Sequence, residues 1–363
     1  MTHALFVPSR LVGREPELDQ INQILSQDGD FLLVGVPGTG RRTLLREAAR
    51  VSHARMIDID CLRSTNASQF LRLLSTSITT QFSTPEEAAL LQTWSLDHPV
   101  TLELTPDENV RMTWQTPAGK EWPIFEALLT LPQFMSEQLN CRVIIVFQNF
   151  PHIRSWDRQG KWETYLREEI QHHNRVSYAL VATVAEPWVY ASGLEVIHLL
   201  PLSDEVMEQW IGETMAAHDL QFNPDDGAIA LFLRYVQGHF GDAIALARRI
   251  WLDYHAYDYS APTLCAHHIH RSMLALVGDL SVTFEALVML LPSSQVRVLE
   301  SLALDPTESP QSREYIKKHQ LSRGGGLQGA LNSLEQKGLI YGPKFGYRIA
   351  LPFFNFWLQQ RLK

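Results

Sequence analysis

The segment that most constrains the fold is a glycine-rich loop between a short apolar run and an amphipathic stretch. Phe31-Leu32-Leu33-Val34 leads directly into Gly35-Val36-Pro37-Gly38-Thr39-Gly40. The next stretch, Thr43-Leu44-Leu45-Arg46-Glu47-Ala48-Ala49, places its apolar residues on one helical face. Strand, glycine loop and helix in this order predict a phosphate-binding loop, because glycines let consecutive backbone N–H groups turn inward around phosphates at a helix N-terminus.

This loop departs from the complete pattern G-x-x-x-x-G-K-[ST] at two positions. Arg41 replaces the lysine that reaches the β- and γ-phosphates, and Arg42 replaces the hydroxyl that ligates Mg²⁺. A guanidinium still suits phosphate oxygens, although it is bulkier than an ammonium and planar. We therefore expect ATP or ADP as the candidate ligand and do not expect ordinary Mg²⁺ binding. The predicted nucleotide-binding residues are Gly35, Gly38, Thr39, Gly40, Arg41, Arg42 and Thr43. The alternative is a loop kept only as architecture, with two solvated arginines.

A second departure follows the apolar run Arg142-Val143-Ile144-Ile145-Val146-Phe147. Hydrolysis by a phosphate-loop enzyme needs an Asp here to hold magnesium and an acidic neighbour to orient the attacking water. The chain has Gln148 and Asn149 instead. Neither side chain is anionic, so neither neutralises a metal ion or accepts a proton at neutral pH. We expect no catalytic residues and little or no hydrolysis.

The remaining pattern predicts an α/β fold with a parallel sheet, followed by two further domains. A third apolar run, Tyr178-Ala179-Leu180-Val181-Ala182-Thr183, follows a helix-like stretch from Trp162 to His172. After Pro201 the pattern becomes helical, and Ser203 is placed to cap the first helix. Near the C-terminus, apolar residues at helical spacing end at Gly338, and two short strands then flank the turn 342–346. The expected domains are 1–200, 201–275 and 276–363, the last a winged helix-turn-helix.

An alternating pattern between the first two apolar runs predicts a β-hairpin. Thr101-Leu102-Glu103-Leu104-Thr105 is followed by the turn residues Pro106-Asp107-Glu108-Asn109 and by Val110-Arg111-Met112-Thr113-Trp114. Two interpretations remain open for this hairpin. It contacts an oligomer partner or another protein, or it merely extends the edge of the sheet.

Several blocks, taken in order, resemble one family of proteins. They are Leu11-Val12-Gly13-Arg14-Glu15 with Glu17-Leu18, Leu166 to His173, the strand at Ser177 to Thr183, Gly238-His239-Phe240, and Tyr347 to Leu358 with Pro352-Phe353-Phe354 and Trp357-Leu358. This order is similar to that of prokaryotic AAA+ ATPases of the signal-transduction (STAND) and archaeal-ATPase branch, relatives of origin-recognition ATPases. The resemblance covers nearly the whole chain. It implies an AAA+-like P-loop domain, an α-helical lid, a winged helix and an ATP-driven switch.

The nucleotide site departs from that family. Where the family usually has Asp and Glu, this chain has Gln148 and Asn149, and the third strand ends in Ala182-Thr183 rather than Gly-Ser. The resemblance therefore supports the fold more strongly than it supports an ATP-driven switch. We expect a regulatory or scaffolding protein with a degenerate nucleotide site. The alternative is a divergent, active ATPase that borrows an acidic group from elsewhere and acts as a switch on DNA or a protein complex.

Charge is uneven along the chain, whose formal net charge is -9. Residues 291–363 contain ten Lys/Arg against five Asp/Glu, so this segment is the basic one. On the predicted winged helix, phosphate or base contacts with duplex DNA would involve Lys317, Lys318, Arg323, Gln328, Asn332, Lys337 and Lys344. The alternative is docking of this domain against the lid or a partner protein.

Two further patterns bear on partners and location. Cys61, Cys141 and Cys265 are widely spaced, which indicates reduced thiols. Cys265-Ala266-His267-His268-Ile269-His270 contains metal-ligating residue types, but on a helix these side chains point in several directions, so we predict no metal site. Without an evident signal or membrane-length apolar run, we expect a cytoplasmic protein with no membrane contact. A protein partner is expected, and a homo-oligomer is compatible with the sequence.

Overall fold

The computed structural model describes residues 6–8, 10–104, 110–117, 119–170, 174–256, 262–322 and 324–362. The chain divides into two compact units. One, the sheet unit, comprises Arg14–Val34 and Arg41–His198. The other, the helical unit, comprises the described part of Met1–Gly13, the glycine loop Gly35–Gly40 and the described part of Leu199–Lys363. By its contacts, the predicted phosphate loop thus belongs to the helical unit.

Five parallel strands form the centre of the sheet unit, in the order β2-β5-β6-β1-β7. They are β1 (Phe31–Val34), β2 (Ala54–Asp60), β5 (Arg142–Gln148), β6 (Val176–Ala182) and β7 (Glu195–His198). Every residue of β6 is buried, as are all but the first residue of β5. Such continuous burial is typical of a parallel sheet covered on both faces, so the predicted α/β fold is confirmed.

Among the described residues of the sheet unit there are seven α-helices. They are α1 (Glu15–Ser26), α2 (Arg41–Val51), α3 (Ala67–Gln81), α4 (Pro85–Ser95), α5 (Trp122–Leu139), α6 (Lys161–Glu169) and α7 (Pro187–Ser192). The predicted hairpin is present as the antiparallel pair β3 (Thr101–Leu104) and β4 (Val110–Thr113), whereas its turn, 105–109, lies outside the described residues. The pair forms a sheet of its own and packs on α3 and α4, so it does not extend the edge of the parallel sheet.

A partly buried carboxyl group makes the stability of the sheet unit depend on pH. Asp30 precedes β1, and its carboxylate accepts a hydrogen bond from the Tyr178 backbone N–H at 2.7 Å. Burial raises the pKa of Asp30 to about 7, against the opposing effect of that hydrogen bond. The folded chain therefore binds this proton more tightly than the unfolded chain, whose Asp keeps a pKa near 3.8. The contribution of Asp30 to stability consequently falls as the pH rises from about 4 to about 7.

We expect Asp30→Asn to be more stable than the parent at pH 8.5, by about 1–3 kcal/mol, and to differ little from it at pH 4. The amide oxygen still accepts the Tyr178 hydrogen bond, while the cost of burying a charge disappears. Urea unfolding at the two pH values measures the difference. Asp97→Asn, at an exposed position, is the control. An equal gain at both pH values would contradict the assignment.

In the described part of the helical unit there are eight α-helices and two small sheets. They are α8 (Asp204–Ala216), β8 (Gln221–Phe222), α9 (Ala228–Val236), α10 (Phe240–Ala256), β9 (Thr263–Leu264), α11 (Ala266–Met289), α12 (Ser293–Leu304), α13 (Arg313–His319), α14 (Gly325–Gln336), β10 (Ile340–Tyr341), β11 (Arg348–Ile349) and α15 (Pro352–Arg361). As predicted, Ser203 caps α8 through a hydrogen bond from the Val206 N–H. Strands β10 and β11 pair antiparallel after α14 and form the predicted wing.

One hydrophobic core runs through the lid helices and the winged helix. It contains Phe232 of α9, Met273 of α11, Leu299 of α12 and Phe354 of α15, all with side chains at or near zero exposure. Helix α11 passes without a break through residues 275 and 276, where the sequence suggested a domain boundary. The lid and the winged helix are thus joined by a helix and by a common core.

Helix α11 also has a composition that the sequence patterns above did not indicate. By length and apolar content alone it would be able to cross a membrane. It contains no uninterrupted apolar run of that length, because charged residues such as Asp279 interrupt the pattern. In the structure, Ile269, Met273 and Val277 of this helix are buried in the core of the helical unit. The helix packs there against α9, α10 and α15.

Candidate phosphate-loop site

The glycine loop adopts a backbone that only some residues tolerate. Gly38 and Gly40 have φ angles of +88° and +89°, which are readily adopted by glycine and are strained for residues with a Cβ atom. Between them, Thr39 is buried, and its hydroxyl donates a hydrogen bond to the Val36 carbonyl at 2.8 Å. This hydrogen bond within the loop therefore stabilises its conformation. The loop then leads directly into the first residue of α2.

Two lid residues at the beginning of α10 hold two carbonyl groups of this loop. The His239 Nε2 atom lies 2.7 Å from the Pro37 carbonyl oxygen. The Gly241 backbone N–H donates to the Gly38 carbonyl at 2.9 Å. The imidazole of His239, which is 5% exposed, occupies the space next to the Gly38 Cα atom. Sequence reasoning placed Gly238-His239-Phe240 among the blocks of the resemblance but gave His239 no role.

His239 is also linked to the winged helix through a single carboxylate. Its Nδ1 atom lies 3.1 Å from Asp242 Oδ1, and Asp242 Oδ2 accepts from the Phe353 backbone N–H at 3.1 Å. Burial alone would lower the pKa of His239, but the Asp242 carboxylate and the Pro37 carbonyl raise it above its ordinary value. Phe353 lies in the first turn of α15. A continuous path of hydrogen bonds thus joins the loop, the lid and the last described helix.

The wing contacts the same loop. Val36 is 4% exposed and forms a small apolar cluster with Tyr341 and Ala350. Phe345, in the turn of the wing, packs against this cluster. The glycine loop is therefore held by lid residues through its carbonyl groups and by the wing through Val36. No pattern in the sequence predicted the wing contact, because the partners lie far apart along the chain.

Within the sheet unit, Arg41 belongs to a hydrogen-bonded chain that ends on a carboxylate. Its Nη2 atom lies 3.4 Å from Asn149 Oδ1, and Asn149 Nδ2 donates to Asp60 Oδ1 at 3.1 Å. Burial lowers the pKa of Arg41, and the charge of Asp60 opposes that effect. Asn149 has a φ of 54°, in the left-handed region where Asn is enriched. The predicted residues Arg41 and Asn149 are thus brought together.

The second arginine has a carboxylate partner on the same strand. Arg42 Nε lies 2.7 Å from Asp58 Oδ2. Asp58 and Asp60 are two residues apart on β2, so their side chains project from the same face of the sheet. Sequence reasoning missed both acids, although the alternation in Met56-Ile57-Asp58-Ile59-Asp60 contained the signal. The two arginines at the start of α2 are therefore not simply solvated.

The other predicted residues of this site lie apart from that network. Gln148 is 5% exposed and pairs in register with Asp60 on the neighbouring strand. Its Nε2 atom is buried and has no hydrogen-bond partner among the described residues. Thr43 is exposed on the surface of α2. Gln148 thus occupies the end of the strand where the sequence placed it, with an uncharged and closely packed side chain.

The predicted DNA contacts are surface residues of the winged helix, apart from Arg323, which lies outside the described residues. Lys317 and Lys318 are exposed on α13, and Lys318 pairs with Asp305 at 2.7 Å. On α14, Gln328 Nε2 donates to Asn332 Oδ1 at 2.6 Å, so these two side chains share one face. The remaining two make local contacts: Lys337 with Gln295 and Ser333, and Lys344 with the Phe345 ring.

The comparisons with known proteins agree with this architecture. Residues 10–168 match the family described as AAA ATPase domain, and residues 282–360 match the family described as probable winged helix domain. No curated protein matches the sequence. The chain is similar to a Walker-type ATPase of Pyrococcus abyssi, at 15% identity and a TM-score of 0.66, over 98% of this chain and 100% of that one.

A second similar structure is the ADP form of the ORC2 protein of Aeropyrum pernix. It has 13% identity and a TM-score of 0.58, over 98% of this chain and 96% of that one. At such identities, likeness shows the fold alone. The two family matches together give the domain composition of the chain. This protein consists of an AAA ATPase domain followed by a C-terminal winged helix domain.

Proposed function

We propose that this protein is a nucleotide-responsive regulatory protein with little or no ATP hydrolysis, whose winged helix docks onto DNA or a partner protein. The observation that carries the proposal is the attachment of the glycine loop to the lid. The Pro37 carbonyl is held by His239 and the Gly38 carbonyl by the Gly241 N–H. The ADP form of the similar ORC2 protein supports adenine nucleotides as the ligand class.

The attachment supports a switch because it leaves little freedom to the loop. A phosphate would bind to backbone N–H groups of the peptides around Gly38, and any rotation of these peptides on binding also turns their carbonyl groups. Such a rotation changes the distances from Pro37 and Gly38 to the lid. Asp242 passes the displacement of His239 to the N-terminus of α15. Occupancy of the loop would thereby alter the winged helix.

The charges around the site support binding without turnover. None of Arg42, Gln148 and Asn149 can ligate Mg²⁺ as an anion. Asn149 instead connects Arg41 to Asp60, so the arginine is kept near an acceptor rather than beside a metal ion. A guanidinium held in this way still offers donors to a phosphate. Bound nucleotide would then act as a ligand and not as a substrate.

We expect the protein to bind ADP and ATP and to release no phosphate above background. Arg41→Ala should raise the Kd for either nucleotide about tenfold or more, because a charge-assisted hydrogen bond contributes about 1.5–3 kcal/mol. Calorimetric titration and a phosphate-release assay with Mg²⁺ measure the two quantities. Arg46→Ala, an exposed arginine on the same helix, is the matched control.

The same measurements distinguish the proposed function from the alternative, a divergent active ATPase. The observation that favours a divergent active ATPase is Asp60, a carboxylate 3.1 Å from Asn149 that could supply the missing metal ligand. Phosphate release that depends on Mg²⁺ and disappears in both Arg41→Ala and Asp60→Asn would replace our proposal with that one. Absence of any nucleotide binding would contradict both functions.

The salt dependence of duplex binding distinguishes a DNA partner from a protein partner. Lys317 is exposed and forms no ion pair among the described residues, whereas Lys318 is paired with Asp305. If the winged helix contacts phosphates, affinity for a duplex falls steeply with salt, and Lys317→Ala lowers the salt dependence by about one counterion. If the affinity for a duplex changes neither with the salt concentration nor on replacement of Lys317, a protein partner is the better target.

A further inference from the structure

The start of α11 gathers three metal-ligating side chains that the sequence suggested would diverge. One ligand atom from each of Cys265, His267 and His268 lies within 4.8 Å of the other two. Cys265 is the N-cap residue, with an extended backbone (φ -95°, ψ 161°), so its side chain does not follow the helical projection. The rings of His267 and His268 are 3.9 Å apart between centroids. Helical projection therefore does not separate these side chains.

A carboxylate from a second segment contacts one member of this cluster, Cys265. Asp226 Oδ2 accepts from the Ala266 N–H at 2.8 Å, Oδ1 accepts from the Ala228 N–H at 3.1 Å, and the carboxylate also bonds to the Cys265 thiol. Asp226 precedes α9, so it is distant from α11 in the sequence. It adds an oxygen donor to one sulfur and two nitrogen donors.

The two segments are held together independently of the cluster. Strand β8 pairs with β9, with Phe222 opposite Leu264, and the Asn223 N–H donates to the Leu264 carbonyl at 2.9 Å. Asn223 Nδ2 lies 3.8 Å from Cys265 Sγ. The backbone is thus already arranged before any ligand arrives. His268 is 9% exposed and fixed, whereas His267 is exposed and has room to rotate.

We propose that Cys265, His267, His268 and Asp226 form a binding site for a divalent transition metal of the zinc class. One thiolate, two imidazoles and one carboxylate make a four-ligand set typical of Zn²⁺, while Mg²⁺ and Ca²⁺ prefer oxygen ligands only. Tetrahedral bonds of about 2.0–2.3 Å require the ligand atoms of Cys265, His267 and His268, now within 4.8 Å of one another, to approach further, and Asp226 must turn toward them; side-chain rotation provides both movements.

Binding exchanges protons and hydrogen bonds in a defined way. The Cys265 thiol loses its proton to solvent as the thiolate bonds to the metal, so one proton is released by this step. His268 Nδ1 accepts a hydrogen bond from the Cys265 backbone N–H at 3.0 Å, and this bond orients the imidazole beside the Cys265 side chain. The metal would fasten the segment before α9 to the start of α11. The site is independent of the nucleotide loop.

Cobalt(II) provides the test, because its spectrum reports ligand type and geometry. The full chain, without an added histidine tag, is reduced, stripped of metal with a chelator and titrated with Co²⁺. We expect one equivalent to bind, with a thiolate charge-transfer band in the near ultraviolet and intense visible bands of a tetrahedral ion. Zn²⁺ should then bleach both bands. The same Zn²⁺ should raise the thermal unfolding temperature.

Matched variants decide whether these residues are the ligands. Cys265→Ser should remove the charge-transfer band, and His267→Ala and Asp226→Asn should each weaken Co²⁺ binding about tenfold or more. Two variants serve as controls. Cys141→Ser removes another half-exposed thiol, and His270→Ala removes another exposed imidazole on α11. Neither should change the charge-transfer band or the Co²⁺ affinity. Since His267 is exposed, its variant remains folded if Cys265→Ser does not. A pale octahedral spectrum, or a thiolate band that survives in Cys265→Ser, would overturn the proposal.

Discussion

Replacing Gly38 with alanine is expected to detach the glycine loop from the lid. A Cβ atom at this position would lie 2.4 Å from Cε1 and 2.5 Å from Nε2 of His239, so the imidazole must move and lose the Pro37 carbonyl. The φ of +88° adds strain of about 1–2 kcal/mol. A lost buried hydrogen bond adds about 1–3 kcal/mol. We expect a combined cost of about 3 kcal/mol at this contact.

Hydrogen exchange at the start of α10 measures this cost directly, because the Gly241 N–H is bonded to the Gly38 carbonyl. We expect the Gly241 amide to exchange about 100-fold faster in Gly38→Ala, and nucleotide affinity to fall with it. Gly40→Ala is the control, since Gly40 has a φ of +89° but a Cβ atom there would meet no other atom within 4 Å. Equal effects of the two substitutions would mean that backbone strain, and not His239, dominates.

The second large effect is expected in the sheet unit, at Glu163. This carboxylate is 4% exposed and receives hydrogen bonds from both Arg154 and Arg167. Its removal leaves two guanidinium groups without this counter-charge, which costs about 3–5 kcal/mol where the charges are fully buried. The Arg154 and Arg167 side chains are 38% and 24% exposed, and Glu186 remains as a partner of Arg154, so we expect Glu163→Ala to lose about 2 kcal/mol of unfolding free energy. Glu163→Gln keeps the size of the side chain and should lose less unfolding free energy than Glu163→Ala.

Urea unfolding compares this variant with an exposed pair of the same chemistry. Glu47 pairs with Arg50 at 2.7 Å on α2, but Arg50 is 71% exposed, so Glu47→Ala should cause no measurable loss. Arg154 lies in the short 3₁₀ helix that follows Asn149. Glu163→Ala should therefore also loosen the segment that positions Asn149, seen as faster exchange there. Equal stability of Glu163→Ala and the parent would show that the network is redundant.

The sequence predicted the strands and the loop because their signals are local. Phe31 to Val34 and Arg142 to Phe147 are continuous apolar runs, and the burial that they imply needs no knowledge of distant residues. The same holds for Ser203, whose capping hydrogen bond reaches only to Val206. The winged helix was also readable, since Gly338 ends α14 with a φ of +70° just before the wing.

Contacts between distant segments could not be read in this way. The residue type of His239 fits a surface imidazole as well as a clamp on Pro37, and only the fold brings the two within 2.7 Å. Asp58 and Asp60 were visible, but their relation to the two arginines depends on where β2 lies beside the helix that carries them. Helical geometry argued against a cluster at Cys265, and an N-cap residue does not obey that geometry.

The common core of the helical unit has a consequence for synthesis of the chain. Helix α15 packs on α9 and α11, yet it is translated long after α11 ends. While the nascent chain is still growing, the apolar faces that α15 will cover on α9 and α11 remain exposed and accessible to chaperones. The lid cannot complete its core until α15 has left the ribosome. A chain that ends before Pro352 would therefore fold neither the lid nor the winged helix completely. Cellular quality control would then act on the two domains together.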